Sequence, residues 1–409
     1  MDIRIEPRIL GGKINVPPSK SISHRALICA ALSDGESRIN DLLDCEDTRA
    51  TIKALTALGA EISQSGSVTT VDGISLRARE ALIDCGESGS TLRFMLPVAA
   101  ALGTRTTFSG SANLPNRPIT PYLEEFPRHG VKFLSEKMPY IIEGRLDGAE
   151  FSVTGDISSQ FITGYMLALP LIGAVGEKRR IVLTSPLQSR PYAVLTADVM
   201  RSFGIAVDIG ENDFTVPENV SFIPCEYTVE ADMSQAAFFL AANAIGGKTE
   251  PVNLNPDSVQ GDRAIMDITD TFIKSGGKAF DVNAQDIPDL VPILTVLACF
   301  ADGVSHITGC GRLRIKESDR LAAISTELNR LGARVEADSD SLTVYGVKEL
   351  HGGECETYKD HRIAMSLAVA SQRCSSPLTI KGAECVSKSY PRFFEDINSL
   401  GGKADVIRS

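Results

Sequence analysis

The sequence predicts an α/β protein of two similar domains, each made of three β-α-β-α-β-β repeats with buried inner helices and amphipathic outer helices. Two observations carry this expectation. A pattern of two helices linked by strands recurs six times along 409 residues, at roughly 55 to 75 residues per copy, too long for a solenoid unit and right for one α/β supersecondary unit. The chain is also too long for one ordinary core, so six copies divide naturally into two domains of three.

The first helix of each copy is apolar and starts polar: SHRALICAAL from Ser23, STLRFMLPVAAALG from Ser90, SSQFITGYMLALPLIG from Ser158, SQAAFFLAANAIGG from Ser234, LVPILTVLACFADG from Leu290 and HRIAMSLAVA from His361. Residues 94–102 and 290–300 are apolar nearly all round, which marks buried helices. The second helices, such as 48–58 and 318–331, carry charge on one face and belong outside. They stop at Gly59, Gly130, Gly204, Gly276 with Gly277, Gly332, and Gly401 with Gly402, the signal of a left-handed C-cap. β-Branched stretches at 68–71, 105–108, 151–153, 180–183, 222–229, 305–308, 341–345 and 378–380 lie between turn residues and read as strands. No low-complexity linker separates the halves. The crossings fall at Pro17-Pro18 and at 229–232, giving a discontinuous first domain of residues 1–18 plus 231–409 and a second of 19–230, with the active site expected in the cleft between them.

Charge narrows the ligand. With 41 Lys and Arg against 52 Asp and Glu the net charge is −11, which argues against nucleic acid, whose backbone needs a broad basic surface. Cations concentrated in a few motifs instead suit a small anion. The nine Cys contain no C-x-x-C pair and no zinc spacing, so they read as buried free thiols in a reducing compartment. No apolar run reaches the roughly 18 residues that span a bilayer, and the start MDIRIEP has no apolar core of a signal peptide. The expectation is a soluble, cytoplasmic protein with no membrane span and no zinc site.

The motifs place cations and hydroxyls at helix starts, where free N–H groups already favour anions. In PSKSISHRA from Pro18, Lys20, Ser21 and Arg25 combine a hydroxyl, a flexible cation and a planar cation. In GESGSTLR from Gly86, Gly89 lets backbone approach a ligand; no Gly-Lys-Ser/Thr follows, so this is not a Walker A loop. Arg117 sits between Asn116 and Pro118 as a clamp. Ser158, Ser159 and Gln160 can cap their helix or read a polyol, and Ser189 opens the next one. Asp289 precedes the most apolar helix, so its carboxyl should be upshifted like a general base unless cations compensate. Lys316, Glu317 and Arg320 crowd a strand-to-helix turn, with Lys316 and Arg320 on one face. Arg362 and Lys388 close the series. Each motif also has a plain reading as a cap or a surface ion pair, and it is their recurrence that favours binding. Together they carry more positive charge than one phosphate needs, which suits two anionic substrates, at least one with a carboxylate as well as a phosphate.

In combination these motifs resemble the 5-enolpyruvylshikimate-3-phosphate synthases, the 3-phosphoshikimate 1-carboxyvinyltransferases of the shikimate pathway to chorismate and the aromatic amino acids. The resemblance runs from about Lys13 to the C-terminus and rests on PSKSISHRA at Pro18, GESGSTLR at Gly86, NRPI at Asn116, SSQF at Ser158, SRPY at Ser189, IPD ending at Asp289, RIKESDR at Arg314, DHR at Asp360 and SKSYP at Ser387. It implies the enolpyruvyl transferase fold of two domains closing on substrate. It implies that 3-phosphoshikimate is bound by Lys20, Ser21, Arg25, Ser158, Ser159, Gln160, Ser189, Asp289 and Lys316, and phosphoenolpyruvate by Lys20, Gly89, Arg117, Gln160, Arg320, Arg362 and Lys388. The implied reaction adds the 5-hydroxyl of 3-phosphoshikimate to C2 of phosphoenolpyruvate and eliminates phosphate. Asp289 is the candidate base and Glu317 the candidate acid, with Lys20 a candidate for either role. No cofactor or metal is implied, and the expected state is a monomer.

The chain departs from the family pattern at His24 and Glu87, where members carry Asn, at Phe94, where they carry Pro, and at Arg312, where many carry Asn. Glu87 and Phe94 flank the expected phosphoenolpyruvate pocket, where the herbicide glyphosate acts on this family. Two alternatives stand beside this reading. UDP-N-acetylglucosamine enolpyruvyl transferases share the fold, but usually carry a reactive Cys in the loop before the clamping Arg, and residues 111–117 hold none. A non-catalytic anion-binding repeat protein would not need Asp289 and Glu317 beside the cations.

Overall fold

Five four-stranded sheets of the computed structural model, which describes residues 1–74, 78–172 and 178–408, share one strand order. In the second copy, Glu80–Asp84 runs parallel to Arg105–Ser109, which pairs antiparallel with Tyr140–Gly144, which pairs in turn with Val131–Ser135. The parallel pair needs a crossover helix and the antiparallel pair only a hairpin, so the order follows from β-α-β-α-β-β. The third and fifth copies repeat it within contiguous chain.

Two sheets are completed from far away in sequence. Glu226–Thr228 lies parallel to Glu36–Asn40 and supplies the first strand of the first copy. Asp2–Ile5 lies between Leu378–Lys381 and Ala404–Arg408 as the fourth strand of the last. The fourth copy has only Gly11–Ile14 parallel to Lys248–Pro251, with no hairpin among the described residues. The full repeat expected of every copy is therefore contiguous in three. The strand expected at 222–229 is shortened to Glu226–Thr228, because Pro224 has no N–H to give a ladder.

By contacts the chain divides into two compact units, residues 18–230 and residues 1–17 with 231–409. The first holds α1 (Lys20–Ala31), α2 (Glu46–Leu58), α3 (Gly89–Leu102), α4 (Thr120–Glu125), α5 (Ser159–Ala168) and α6 (Arg190–Ser202). The second holds α7 (Met233–Ala244), α8 (Ala264–Lys274), α9 (Val291–Cys299), α10 (Arg320–Arg330), α11 (His361–Ala370) and α12 (Phe393–Ser399). Helices α1, α3 and α5, and α7, α9 and α11, are buried along nearly their whole length, as the apolar first helices predicted. Their neighbours α2, α6, α8 and α10 bury one face only. Helix α4 is short and passes into a 3-10 turn, Phe126–His129, in whose first turn Pro127 sits. The glycine stops at Gly59, Gly130, Gly204, Gly276, Gly277, Gly332 and Gly401 all have positive φ, as a left-handed cap requires. No described helix is long and apolar enough to cross a membrane, and the nine cysteines are free, eight of them buried.

The helix starts are built alike. Ser19, Ser88 and Ser158 cap α1, α3 and α5 with side-chain oxygens, and Asp232 and Asp360 cap α7 and α11. Each cap satisfies one amide that would otherwise be buried without a partner.

Helices α3 and α5 approach closely at Gly164. A Cβ there would stand 2.5 Å from the Arg93 carbonyl oxygen and 2.9 Å from Pro97 Cγ, and would overlap Tyr122 Oη, which donates to that same carbonyl at 2.6 Å. Helix propensity alone would favour Ala over Gly by about 1 kcal/mol. Overpacking here opposes it, at about 1–3 kcal/mol, and involves backbone and a fixed hydroxyl. Gly164→Ala is therefore expected to lower the urea midpoint; an unchanged or raised midpoint would show that α3 and α5 can part without cost.

Candidate functional site

The predicted residues fall into two groups, one in each unit. In residues 18–230 the group gathers at the starts of α1, α3, α5 and α6. Lys20 opens α1 behind its Ser19 cap and pairs with Asp47 at 2.9 Å. One turn on, Arg25 is buried and spends its donors inside the unit. It donates from Nε to Thr196 Oγ1 at 2.8 Å, from Nη1 to the Ser21 carbonyl at 2.7 Å, and from Nη2 to Thr163 Oγ1 and the Tyr192 carbonyl at 3.1 and 3.2 Å. Its guanidinium also lies 5.1 Å from the centre of the Phe94 ring. Burial lowers the Arg25 pKa to about 10, so it remains charged at neutral pH. The arginine thus ties α1 to α5 and α6. Ser189 itself sits at φ 56 before Pro191, a left-handed position that starts α6 abruptly.

At α3 and α5, Gln160 is held from both ends: its Oε1 accepts from Arg93 Nη1 at 2.7 Å and its Nε2 donates to Ser90 Oγ at 2.9 Å. Arg93 also donates to the Pro118 carbonyl at 2.9 Å and lies 4.9 Å from the centre of the Phe161 ring. Next to Pro118, Arg117 lies directly over Gly89. A Cβ at Gly89 would come within 2.6 Å of Arg117 Cζ. The glycine thus makes room for a guanidinium against the first turn of α3. Ser158 caps α5 through the Gln160 amide at 3.3 Å, and Ser159 is buried beside it.

His24 is a departure with a plain structural role. Its Nδ1 meets Thr51 Oγ1 at 2.7 Å, which continues to Thr91 Oγ1 at 2.8 Å and to Ser88 Oγ at 2.8 Å. Burial holds the imidazole down to about 3, so it stays neutral.

In the other unit the group is tighter. Asp289 stands in the turn Pro288–Leu290 ahead of α9. Its Oδ1 accepts from Arg320 Nη1 at 2.9 Å and its Oδ2 from Arg362 Nη2 at 2.8 Å, while its carbonyl accepts from Arg362 Nη1 at 3.2 Å. Arg320 is only 2% exposed and also donates to Glu317 Oε2 and Asp360 Oδ2, each at 2.8 Å. Asp360 caps α11 through the Arg362 amide at 2.9 Å and accepts from Ser318 Oγ at 3.0 Å. Lys388 donates to the Lys359 carbonyl at 3.1 Å, within a left-handed Tyr358-Lys359 turn that delivers Asp360.

The charge balance departs from the upshifted Asp289 that its apolar neighbourhood suggests. Burial alone would raise that carboxyl, but Arg362, Lys316 and Arg320 outweigh it and hold it well below the usual carboxylate range. The compensating cations named as the exception in the sequence are present. For Arg320, burial would lower the pKa, and Asp360, Glu317 and Asp289 more than reverse it. Burial takes the Lys316 ammonium down to about 8, with Asp289 opposing and Arg320 reinforcing the fall.

Three partners escaped the sequence reading. Arg93, at the end of GESGSTLR, was legible as a motif residue but not as the orienter of Gln160. Asp47 gives no signal, since its tie to Lys20 spans 27 positions. Asp360 was visible only as a letter of DHR, yet it joins Arg320 to α11. Arg312 donates to the Gln285 carbonyl at 2.9 Å.

A family model described as EPSP synthase (3-phosphoshikimate 1-carboxyvinyltransferase) matches residues 6–397. Among curated relatives, the 3-phosphoshikimate 1-carboxyvinyltransferase of Clostridium kluyveri is 41% identical over 420 residues, covering 98% of both chains. That of Clostridium perfringens strain ATCC 13124 is 42% identical over 417 residues, covering 97% of this chain and 98% of the relative. Among solved structures, an EPSP synthase from Acinetobacter baumannii matches with a TM-score of 0.80 at 24% identity, covering 99% of this chain and 100% of that one. At that identity the structural match speaks for the fold.

The electrostatic coupling of Lys316 to Asp289 is open to measurement. In 13C-methylated protein the Lys316 resonance is expected to titrate near pH 8. Asp289→Asn removes a charge that favours the ammonium, so the midpoint should fall further. A Lys316 midpoint in the ordinary lysine range, or one indifferent to Asp289→Asn, would contradict this account.

Proposed function

The chain belongs to the EPSP synthase family, the 3-phosphoshikimate 1-carboxyvinyltransferases, and from that premise we propose that it transfers the enolpyruvyl group of phosphoenolpyruvate to the 5-hydroxyl of 3-phosphoshikimate. The observation that carries the chemistry is the Asp289 carboxylate held between Arg320 and Arg362, with Glu317 on the same Arg320. A base, an acid and two planar cations are joined by direct hydrogen bonds.

Phosphoenolpyruvate is assigned to Lys20, Gly89, Arg117, Gln160, Arg320, Arg362 and Lys388. Its carboxylate and phosphate replace Asp289 as acceptors for guanidinium donors that are already oriented. That exchange has a chemical result. Negative charge on the arginines cancels the field that depresses Asp289, so its affinity for a proton rises when substrate arrives. Asp289 then accepts the 5-hydroxyl proton as the oxygen bonds to C2, while C3 gains a proton from Glu317, with Lys20 as the other candidate donor. The tetrahedral intermediate keeps its phosphate among the same cations. In the second step the methyl group returns a proton, the double bond re-forms and phosphate leaves. 3-Phosphoshikimate is assigned to Lys20, Ser21, Arg25, Ser158, Ser159, Gln160, Ser189, Asp289 and Lys316. Arg25 supports this role as much by orienting Ser21 and α6 as by its charge. The protein is further read as a cytoplasmic monomer.

Purified protein should release inorganic phosphate only when 3-phosphoshikimate and phosphoenolpyruvate are both present. Release with UDP-N-acetylglucosamine in place of 3-phosphoshikimate would assign it to the sister reaction, and binding without release would leave an anion-binding protein. Asp289→Asn should lower kcat by about 10²–10⁴-fold, the usual worth of a general base, with a much smaller change in KM. A variant that mainly loses affinity would remove Asp289 from the role of base.

A further inference from the structure

The unit that holds the Asp289–Arg362 pair has a second buried carboxyl that the reaction above does not use. Asp262 sits in the short turn Gly261–Arg263 before α8 and is 3% exposed. Its Oδ2 accepts from Ser234 Oγ in the first turn of α7, and its Oδ1 is buried without a hydrogen-bond partner among the described residues. The charged groups acting on it come from each neighbouring element: Asp232 from the start of α7, Asp289 from the turn Pro288–Leu290, and Arg362 from α11. An aspartate kept only for structure would use both oxygens, since a bare buried carboxylate oxygen is costly. Burial, and then the Asp289 charge, push the Asp262 carboxyl up to about 7, against the opposing pull of Arg362 and the Ser234 hydroxyl. Asp289 is held low by the same Arg362. Two carboxyls, one pushed up and one held low, thus share the influence of one guanidinium.

We propose that Asp262 is a positioning residue of the anion site: uncharged, it leaves the Arg362 charge to Asp289 or to a bound anion, and ionised, it draws on that charge and loosens the anion. This rests on the reading that Arg362 holds phosphoenolpyruvate. Coupling is reciprocal, so an anion on Arg362 favours the protonated form of Asp262. Binding therefore takes up a proton from solvent, and affinity falls as pH rises through the Asp262 midpoint.

The full-length protein and Asp262→Asn are compared by calorimetric titration of phosphoenolpyruvate, with 3-phosphoshikimate present, in buffers of different ionisation enthalpy. Titration of the ligand's own phosphate is common to both, so the difference between them reads Asp262. The wild type should take up more protons near neutral pH. Its affinity above neutral should fall below that of the variant, by about tenfold for each unit by which the bound anion raises the Asp262 midpoint. Equal proton uptake with parallel affinity curves would overturn the proposal. The infrared carboxylic-acid band of the ligand-free protein tests Asp262 whatever the substrate. It should titrate near neutral pH in the wild type and be missing in Asp262→Asn, and a band common to both overturns the assignment. Should that variant not fold, Ser234→Ala serves instead. Loss of the hydroxyl removes a bond that favours the charged form, so the band must titrate at higher pH; an unmoved midpoint counts against Asp262. No binding by a wild type whose band behaves as expected would refute the substrate assignment and leave the carboxyl pair standing.

Discussion

A guanidinium that water cannot reach must be neutralised by its own protein, and Arg320 is neutralised by three carboxylates: Asp289, Glu317 and Asp360. Arginine keeps its proton in nearly every setting, so burial does not switch off the charge; it makes partners obligatory. Those partners come from the turn before α9, the loop before α10 and the cap of α11. One side chain thereby fixes the relative position of three segments. The planar fork matters as well as the charge, because Nε, Nη1 and Nη2 each aim at a different carboxylate, a geometry that a lysine has no means to reproduce.

The unit of residues 18–230 meets the same demand more cheaply. Arg25 and Arg93 are satisfied by hydroxyls, carbonyls, an amide and aromatic faces. These bonds orient the two guanidiniums beside helix starts that themselves favour anions. The repeats therefore share a scaffold and differ in electrostatics: hydroxyls and carbonyls hold Arg25 in one unit, and carboxylates hold Arg320 in the other.

What could be read from the sequence depended on how local its cause was. Apolar helices at 94–102 and 290–300, and glycine stops such as Gly59 and Gly332, express interactions within a few residues and appear where expected. Gly89 was legible as a place of close approach, although its neighbour is Arg117, 28 positions on. The protonation of Asp289 was not legible, because it is decided by Arg320 and Arg362, 31 and 73 positions away, while the nearby sequence shows no cation. Strand exchange was hidden for the same reason: Asp2–Ile5 and Glu226–Thr228 are short, and their partners lie at the other end of their units.

That exchange also bears on the order in which the molecule is made. During synthesis the described strands of the 18–230 unit are all available once Glu226–Thr228 leaves the ribosome, so its sheets can close before residues 231–409 have emerged. The other unit is interrupted by it. Asp2–Ile5 emerges before the 18–230 unit, yet both strands it pairs with lie after residue 377. Until they appear that strand has two open edges and lacks both of its partners. Its pattern of alternating exposed Arg4 with buried Ile3 and Ile5 gives a charge on one face of a waiting edge, a feature that discourages pairing with the wrong chain.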